Sequence, residues 1–297
     1  MQILGSCRPS ASQDLLTRMS ACIDEVAEWM RSNWLQLSTA KAQFLWSTTS
    51  HRLYQLPQSL FRVGSDHISP ASPVRDFVIY VDSDDLMRSR VAKTVSACYS
   101  VLHQLQTVRL SVSRSVLQSL VSSLVLLRLD YGNSILAGVS SHLLSRLQSV
   151  MNAVARLIFS SSRFQHIAPL LRQLHWLKAP ERIAFQQSVL VYKCLHGSAP
   201  AYLTDELCQV ADVKTRQRLR STSSSLIVSR TRLPTVGDWA FPVAAARVWN
   251  SLPDLVTSAP SVAVFRSRIK THLFNLSYPC DCTVTLVALD TIIILAY

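Results

Sequence analysis

The amino-acid sequence predicts a mainly α protein, α+β overall, in which a small β-containing segment precedes a long helical region and a C-terminal extension. Three observations carry that expectation. From about Met87 the chain shows long helical patterns through SVLQSLVSSLVLLRL, HLLSRLQSVMNAVARLIF and ERIAFQQSVLVYKCL, with no convincing strand among them. Before them, FRVGSDHISP and VRDFVIYV are short β-prone runs, the first broken by a Gly-Ser-Asp turn signal. At 297 residues and 48% hydrophobic content, the chain has the means to bury a real core and is not composed like a disordered protein.

Taken in order, Ser10 to Leu35 places Leu15, Leu16, Met19, Cys22, Ile23, Val26, Met30 and Trp34 at helical spacing, with Trp29 flanking the same face, and reads as one amphipathic helix. LQLSTAKAQFLW turns into a strand expected to end near Trp46. VRDFVIYV reads as one buried strand. The change of character after Asp85 sets a boundary, and the chain divides into segments 1–85, 86–208 and 209–297.

In the second segment Leu143, Leu144, Leu147, Val150, Met151, Val154, Leu157 and Ile158 give a helix one broad apolar face, and that helix should end in Ser160 to Ser162. A short helix comes next over Ile167 to Leu174. His175-Trp176-Leu177 then forms a joint whose indole packs into the helical core. Pro180 and Glu181 open the next helix, and Gly197 stops it.

The third segment opens with Lys214, Arg216, Arg218, Arg220, Arg230 and Arg232, a basic linker or phosphate-contacting loop, with a simple solvated connector equally open. Trp239, Trp249 and Phe265 are available for a small core, and Arg266, Arg268, Lys270 and His272 lie on the final helix. The apolar tail TVTLVALDTIIILAY is shorter than a spanning helix and is interrupted by Asp290, so no membrane partner is expected.

Lys plus Arg number 30 against 18 Asp plus Glu, a formal charge of +12 that favours polyanionic partners. Placement matters more than the sum. From Arg88 to Lys178 there are eleven basic residues (88, 90, 93, 109, 114, 128, 146, 156, 163, 172 and 178) and one acid, Asp130. A solvated helical face usually interleaves acids, so charge of one sign on amphipathic helices points to phosphate. A merely soluble basic protein is the blander alternative.

Seven cysteines (7, 22, 98, 194, 208, 280 and 282) show no repeated spacing, and MQILGSCRPSAS lacks the pattern of an export signal. The expectation is reduced thiols in an intracellular protein, nuclear or cytoplasmic. Cys280-x-Cys282 with His272 lacks the spacing of a zinc site. The 6 glycines form no phosphate loop, no serine sits in a Gly-x-Ser-x-Gly context, and His103, His142, His166 and His175 are scattered singly.

The stretch SSRFQHIAPLLRQLHWLKAPERIAFQQSVLVYKCLHGSAPAYL closely resembles the region downstream of the polymerase domain in non-LTR retrotransposon (LINE) reverse transcriptases of the jockey, CR1 and L2-like kind. Three further blocks resemble the same family in the same order: VRDFVIYVDSD at Val74 to Asp84, LDYGNSILAG at Leu129 to Gly138, and FPVAAARVWNSLP at Phe241 to Pro253. The four are spread over residues 74–253 of the chain. The resemblance implies the C-terminal part of an RNA-directed DNA polymerase: a partial palm in 1–85, a helical thumb-like region in 86–208 that grips a nucleic-acid duplex, and an extension beyond it.

Such polymerases hold Mg2+ with two or three aspartates. Tyr80-Val81-Asp82-Ser83-Asp84-Asp85 resembles their Tyr-x-Asp-Asp signature, yet in the family this block ends the palm beside the primer, and Gln2-Ile3-Leu4-Gly5-Ser6 is similar to the family's residues directly after the aspartate pair. Asp82, Asp84 and Asp85 are therefore expected to form a solvated turn and a helix cap. No catalytic residue, no cofactor and no activity are expected from this chain alone. Where the family has Leu-Asn-x-x-Lys-Thr-Glu, Leu37-Ser38-Thr39-Ala40-Lys41-Ala42-Gln43 keeps only the leucine and the lysine of that motif. Phe77-Val78-Ile79 stands for Leu-Gly-Val and loses the glycine's range. These departures mark a decayed copy.

The expected partner is an RNA or DNA template–primer duplex, held through its phosphates by Lys41, Arg109, Arg114, Arg128, Arg146, Arg156, Arg163 and Arg172. The alternative is a helical protein-interaction module serving an acidic partner. Nothing in the sequence specifies an oligomeric state.

Overall fold

Leu15, Leu16 and Ile23 are buried along one face of α1 (Ser12–Ser32), together with Ser12 and Ser20. The computed structural model to which this helix belongs describes residues 2–76, 79–83, 87–210, 225–231 and 237–279. Phe77, Val78, Asp84 and Asp85 lie outside the described residues, as do the basic run Lys214 to Arg220, Arg232, and the apolar tail with Cys280 and Cys282. The chain is helix-rich with two small antiparallel sheets, mainly α as the periodicity requires. It divides into two compact units, Met1–Lys93 and Thr94–Tyr297, where the sequence led us to expect segments 1–85, 86–208 and 209–297.

In the first unit α1 packs on the hairpin β1 (Phe61–Val63) and β2 (Asp66–Ile68), in the register Phe61↔Ile68 and Val63↔Asp66. The Gly-Ser-Asp signal is its turn, with Gly64 at φ 61°. Ser20 donates its hydroxyl to the Arg62 carbonyl at 3.1 Å, and Arg62 reaches Asp24, which ties the helix to the strand. Phe44 lies 5.0 Å from the Trp46 ring and 4.9 Å from the Phe61 ring and completes a small core with Leu16, Ile23 and Val63.

Three expectations about the helix and strands of this unit are corrected. Cys22 is exposed and Trp34 is 98% exposed, so the buried face of α1 stops after Ile23. A helix of 21 residues runs about 32 Å and a three-residue strand about 10 Å, so the hairpin covers only part of it. The strand expected to end at Trp46 is reduced to one parallel bridge, Phe44↔Pro70, because proline offers no amide to extend a ladder. VRDFVIYV is not one buried strand. It forms β3 (Val74–Asp76) and β4 (Ile79–Val81), an antiparallel pair with Val74↔Val81 and Asp76↔Ile79 whose described residues are half-buried or exposed, as a two-stranded sheet leaves them.

Helix α2 (Arg88–Val108) begins in the first unit and continues into the second. The Asp82 carboxylate accepts the Ser89 backbone amide at 2.9 Å, the cap the sequence suggests, but it is buried and not in the solvated turn expected of it, because the cap turns it onto the start of α2. After a 3-10 turn at Arg109–Ser111 come α3 (Arg114–Val121), a π turn at Ser122–Leu126 and α4 (Leu127–Asp130). Leu117, Val121, Val125 and Leu129 are all buried. A strict four-residue spacing drifts about 40° per step on a regular helix, and the wider π turn takes up that drift.

The 3-10 turn Asn133–Leu136 leads to α5 (Ser141–Phe159), which buries all of its expected face except the half-buried Leu144 and ends at Ser160 with φ 55°. Then come α6 (Ala168–Gln173) and α7 (Ala179–Leu195), with Pro180 and Glu181 in the first turn of α7 and Gly197 beyond its end at φ 65°. The chain continues through α8 (Ala201–Thr204), α9 (Phe241–Asn250), α10 (Asp254–Thr257) and α11 (Val262–Ser277).

Helix α7 is the axis of the second unit: α5, α9, α11 and the turn at Asn133–Leu136 all pack on it. Tyr192 stacks on Phe265 at 4.5 Å and donates its hydroxyl to the Ala259 carbonyl at 2.8 Å, and Trp249 is buried beside them. Helices α9, α10 and α11 therefore share a core with α7. Trp176 is half-buried over a satellite cluster of Ala155, Leu171 and Tyr278, and the Tyr278 hydroxyl donates to its carbonyl at 2.9 Å. No helix among the described residues is long and apolar enough to cross a membrane.

Candidate nucleic-acid interface

Arg114 opens α3 behind Ser113, whose hydroxyl accepts the Val116 amide, and its guanidinium lies 4.0 Å over the Phe159 ring, the last residue of α5. Arg156 stands in the last turn of α5, and Arg163 lies beyond it in the loop to α6, 4.8 Å over the ring of Phe164. Three arginines thus gather at the C-terminal end of one helix, where the helix dipole favours cations. The Arg156 Nε is buried without a hydrogen-bond partner among the described residues. Arg146, half-buried, lies on the same helix about 15 Å back and about 80° around.

The remaining sites are dispersed. Arg109 is half-buried in the turn after α2. Arg128 is exposed on α4 and near enough to the buried Cys98 to act on it: burial pushes that thiol up to about 11, against the pull of the Arg128 charge. Arg172 is exposed at the end of α6 and is already engaged within the protein. Lys41 is exposed in the 3-10 turn Thr39–Lys41 of the other unit.

A count of cations along the sequence overstates what a partner can reach. Arg90 is buried and engaged, Arg88 is engaged, Lys93 lies 3.7 Å over the Tyr80 ring, and Lys178 lies 5.3 Å over the Tyr278 ring.

Sequence reasoning missed Arg182. Its Nε donates to the Asp130 Oδ1 at 2.8 Å and its terminal nitrogen to Oδ2, while the Asn133 amide reaches the same carboxylate at 3.3 Å. The one acid among the eleven cations is thus neutralised by α7 and does not offset them. A lone acid in a basic stretch was the available signal that such a partner existed.

A second pair of residues also went unforeseen. Gly138, at φ 75°, lies against the indole of Trp239, so Trp239 does not join Trp249 and Phe265. Leu136, Gly138, Leu144, Ile183, Trp239 and Val248 line an apolar groove of about 410 Å³. At its rim Arg247 pairs with Asp238 at 3.1 Å and Thr231 donates to it at 2.8 Å, which together hold the Asp238 carboxyl below its ordinary value.

Asp82 is committed to its cap, and among the described residues no three His, Cys, Asp or Glu side chains are grouped to hold a metal. No protein-family model matches the chain, and neither a curated protein nor a solved structure matches it.

Proposed function

We propose that the chain is a C-terminal portion of a LINE-type reverse transcriptase, without polymerase activity of its own, whose helical unit binds a template–primer duplex through its phosphates. The observation that carries this reading is the gathering of Arg114, Arg156 and Arg163 at the end of α5, in a stretch whose one acid is already paired. Guanidinium groups fork onto phosphate oxygens and carry no base preference by doing so.

The family part of the reading draws support from how the resembling blocks interlock. Asp130 and Ser134 of LDYGNSILAG are held by Arg182 and Gln187 of α7, and Gly138 is held by Trp239, two residues before FPVAAARVWNSLP. In this reading the first unit stands for the end of a palm and the second for the thumb and the region beyond it.

The test is fluorescence anisotropy of the full chain on RNA–DNA heteroduplex and on DNA duplex at several salt concentrations. On DNA duplex, each phosphate contact adds about −0.9 to the slope of log affinity against log salt, so ~4 contacts give a steep fall. Replacing Arg114, Arg146, Arg156 and Arg163 by Gln should flatten the slope and weaken binding equally on unrelated sequences. A salt-independent affinity, or unaltered binding by the variant, would overturn the reading and favour a helical module for an acidic protein. Primer extension on an RNA template with magnesium or manganese should stay at background. Incorporation abolished by Asp84→Ala with Asp85→Ala would refute the inactive assignment.

A further inference from the structure

We infer that Phe164 is a stacking platform for an unpaired base beside the phosphate-binding arginines, so that the preferred ligand is a duplex with a single-stranded overhang rather than a blunt one. This rests on the phosphate-binding reading proposed for the same arginines. Phe164 is 82% exposed, although its loop is not loose around it: its amide donates to the Ser162 hydroxyl at 3.4 Å, and the Ser161 hydroxyl bonds the Gln165 side chain. The loop's own hydrogen bonds therefore present the ring outward.

The Arg163 guanidinium lies 4.8 Å over the ring, and the run from Ser160 to His166 contains no acid. The same end of α5 holds Arg114 and Arg156. An occupant must bring a flat apolar face and negative charge together, and a nucleotide carries both in one unit. Bases within a duplex are stacked on their neighbours and cannot offer a face to Phe164, whereas an unpaired base can. Stacking of this kind is indifferent to base identity, consistent with the lack of base-reading groups among the arginines.

The experiment compares blunt duplex with the same duplex carrying a short overhang, using the full chain, with 2-aminopurine as the first unpaired base. Wild-type protein should prefer the overhang by about tenfold, the worth of one stacked base, and should quench the 2-aminopurine. Phe164→Ala should lose the preference and the quenching while keeping its blunt-duplex affinity and salt slope, and Phe164→Trp should keep all of them. Because the ring is exposed, thermal unfolding of Phe164→Ala should match wild type and certify the comparison. If wild type binds blunt duplex with the expected salt slope but shows no overhang preference, or Phe164→Ala retains it, this inference alone fails. If blunt-duplex binding is independent of salt, the phosphate reading fails and takes this one with it.

Discussion

At Gly138 a single hydrogen atom separates a close contact from a collision. A Cβ built there would lie 1.9 Å from the Trp239 Cδ1, on a backbone already at φ 75°. Left-handed backbone costs a non-glycine residue about 1–2 kcal/mol, and the displaced indole adds to that. Gly138→Ala should therefore destabilise the protein by about 2–4 kcal/mol in urea unfolding. Adding Trp239→Ala should return the steric share and leave the backbone share. Simple additivity of the two changes would count against the contact. This contact was not legible in the sequence, because about a hundred residues separate its partners and local periodicity says nothing about which distant indole meets which glycine. The arginines show the same division. Their one-signed run was visible, but whether each guanidinium faces solvent, an aromatic ring or a carboxylate is decided by packing: Arg114 found Phe159 and Arg182 found Asp130.

Four helices of this protein are stopped by one repeated device. After α1, α5, α6 and α7 a residue takes positive φ, respectively Trp34, Ser160, His175 and Gly197. The next amide then reaches back five residues: Leu35 to Met30 at 2.8 Å, Ser161 to Arg156 at 3.0 Å, Trp176 to Leu171 at 3.1 Å and Ser198 to Lys193 at 2.8 Å. Only Gly197 adopts this turn without a side-chain penalty. Trp34→Gly and Ser160→Gly should each raise stability by about 1 kcal/mol, visible as a higher midpoint in thermal unfolding, since neither side chain is buried. A lowered midpoint in either variant would remove the strain argument. The stops at Ser160 and Gly197 could be read from composition. The hairpin of β3 and β4 could not, because a short β-prone, largely apolar run reads the same whether it continues as one strand or folds back on itself. The exposed end of α1 escaped for a related reason: spacing identifies an apolar face without saying how far its cover extends.

At the scale of the molecule, the groups with raised proton affinity among the described residues, Cys98, Cys194 and Tyr278, lie in the second unit, and two of them are raised far. Burial pushes the Cys98 thiol from 9.0 up to about 11, and burial with the Glu181 charge pushes the Tyr278 hydroxyl from 10.0 up to about 12. Both folded values exceed the unfolded ones, so the stability they contribute is complete below pH 9 and is lost as pH rises through 11 and 12. Urea midpoints should hold steady from neutral pH to about 9 and then fall, each group adding up to about 1.4 kcal/mol per pH unit. Cys98→Ala with Tyr278→Phe should flatten that alkaline limb; an unaltered limb would assign it to other groups.

Tyr278 also sets a clock. Its hydroxyl closes on the Trp176 carbonyl across 102 residues, and Tyr192 closes on Ala259 across 67. During synthesis at about 5–20 residues per second, the span from Trp176 to Tyr278 takes about 5–20 s to emerge. For most of that interval α7 has been synthesised while α11, which shares a core with Val191 and Tyr192, is not yet complete. The second unit is thus paced by translation of α11, and until then its newborn state is an apolar rod awaiting a coat.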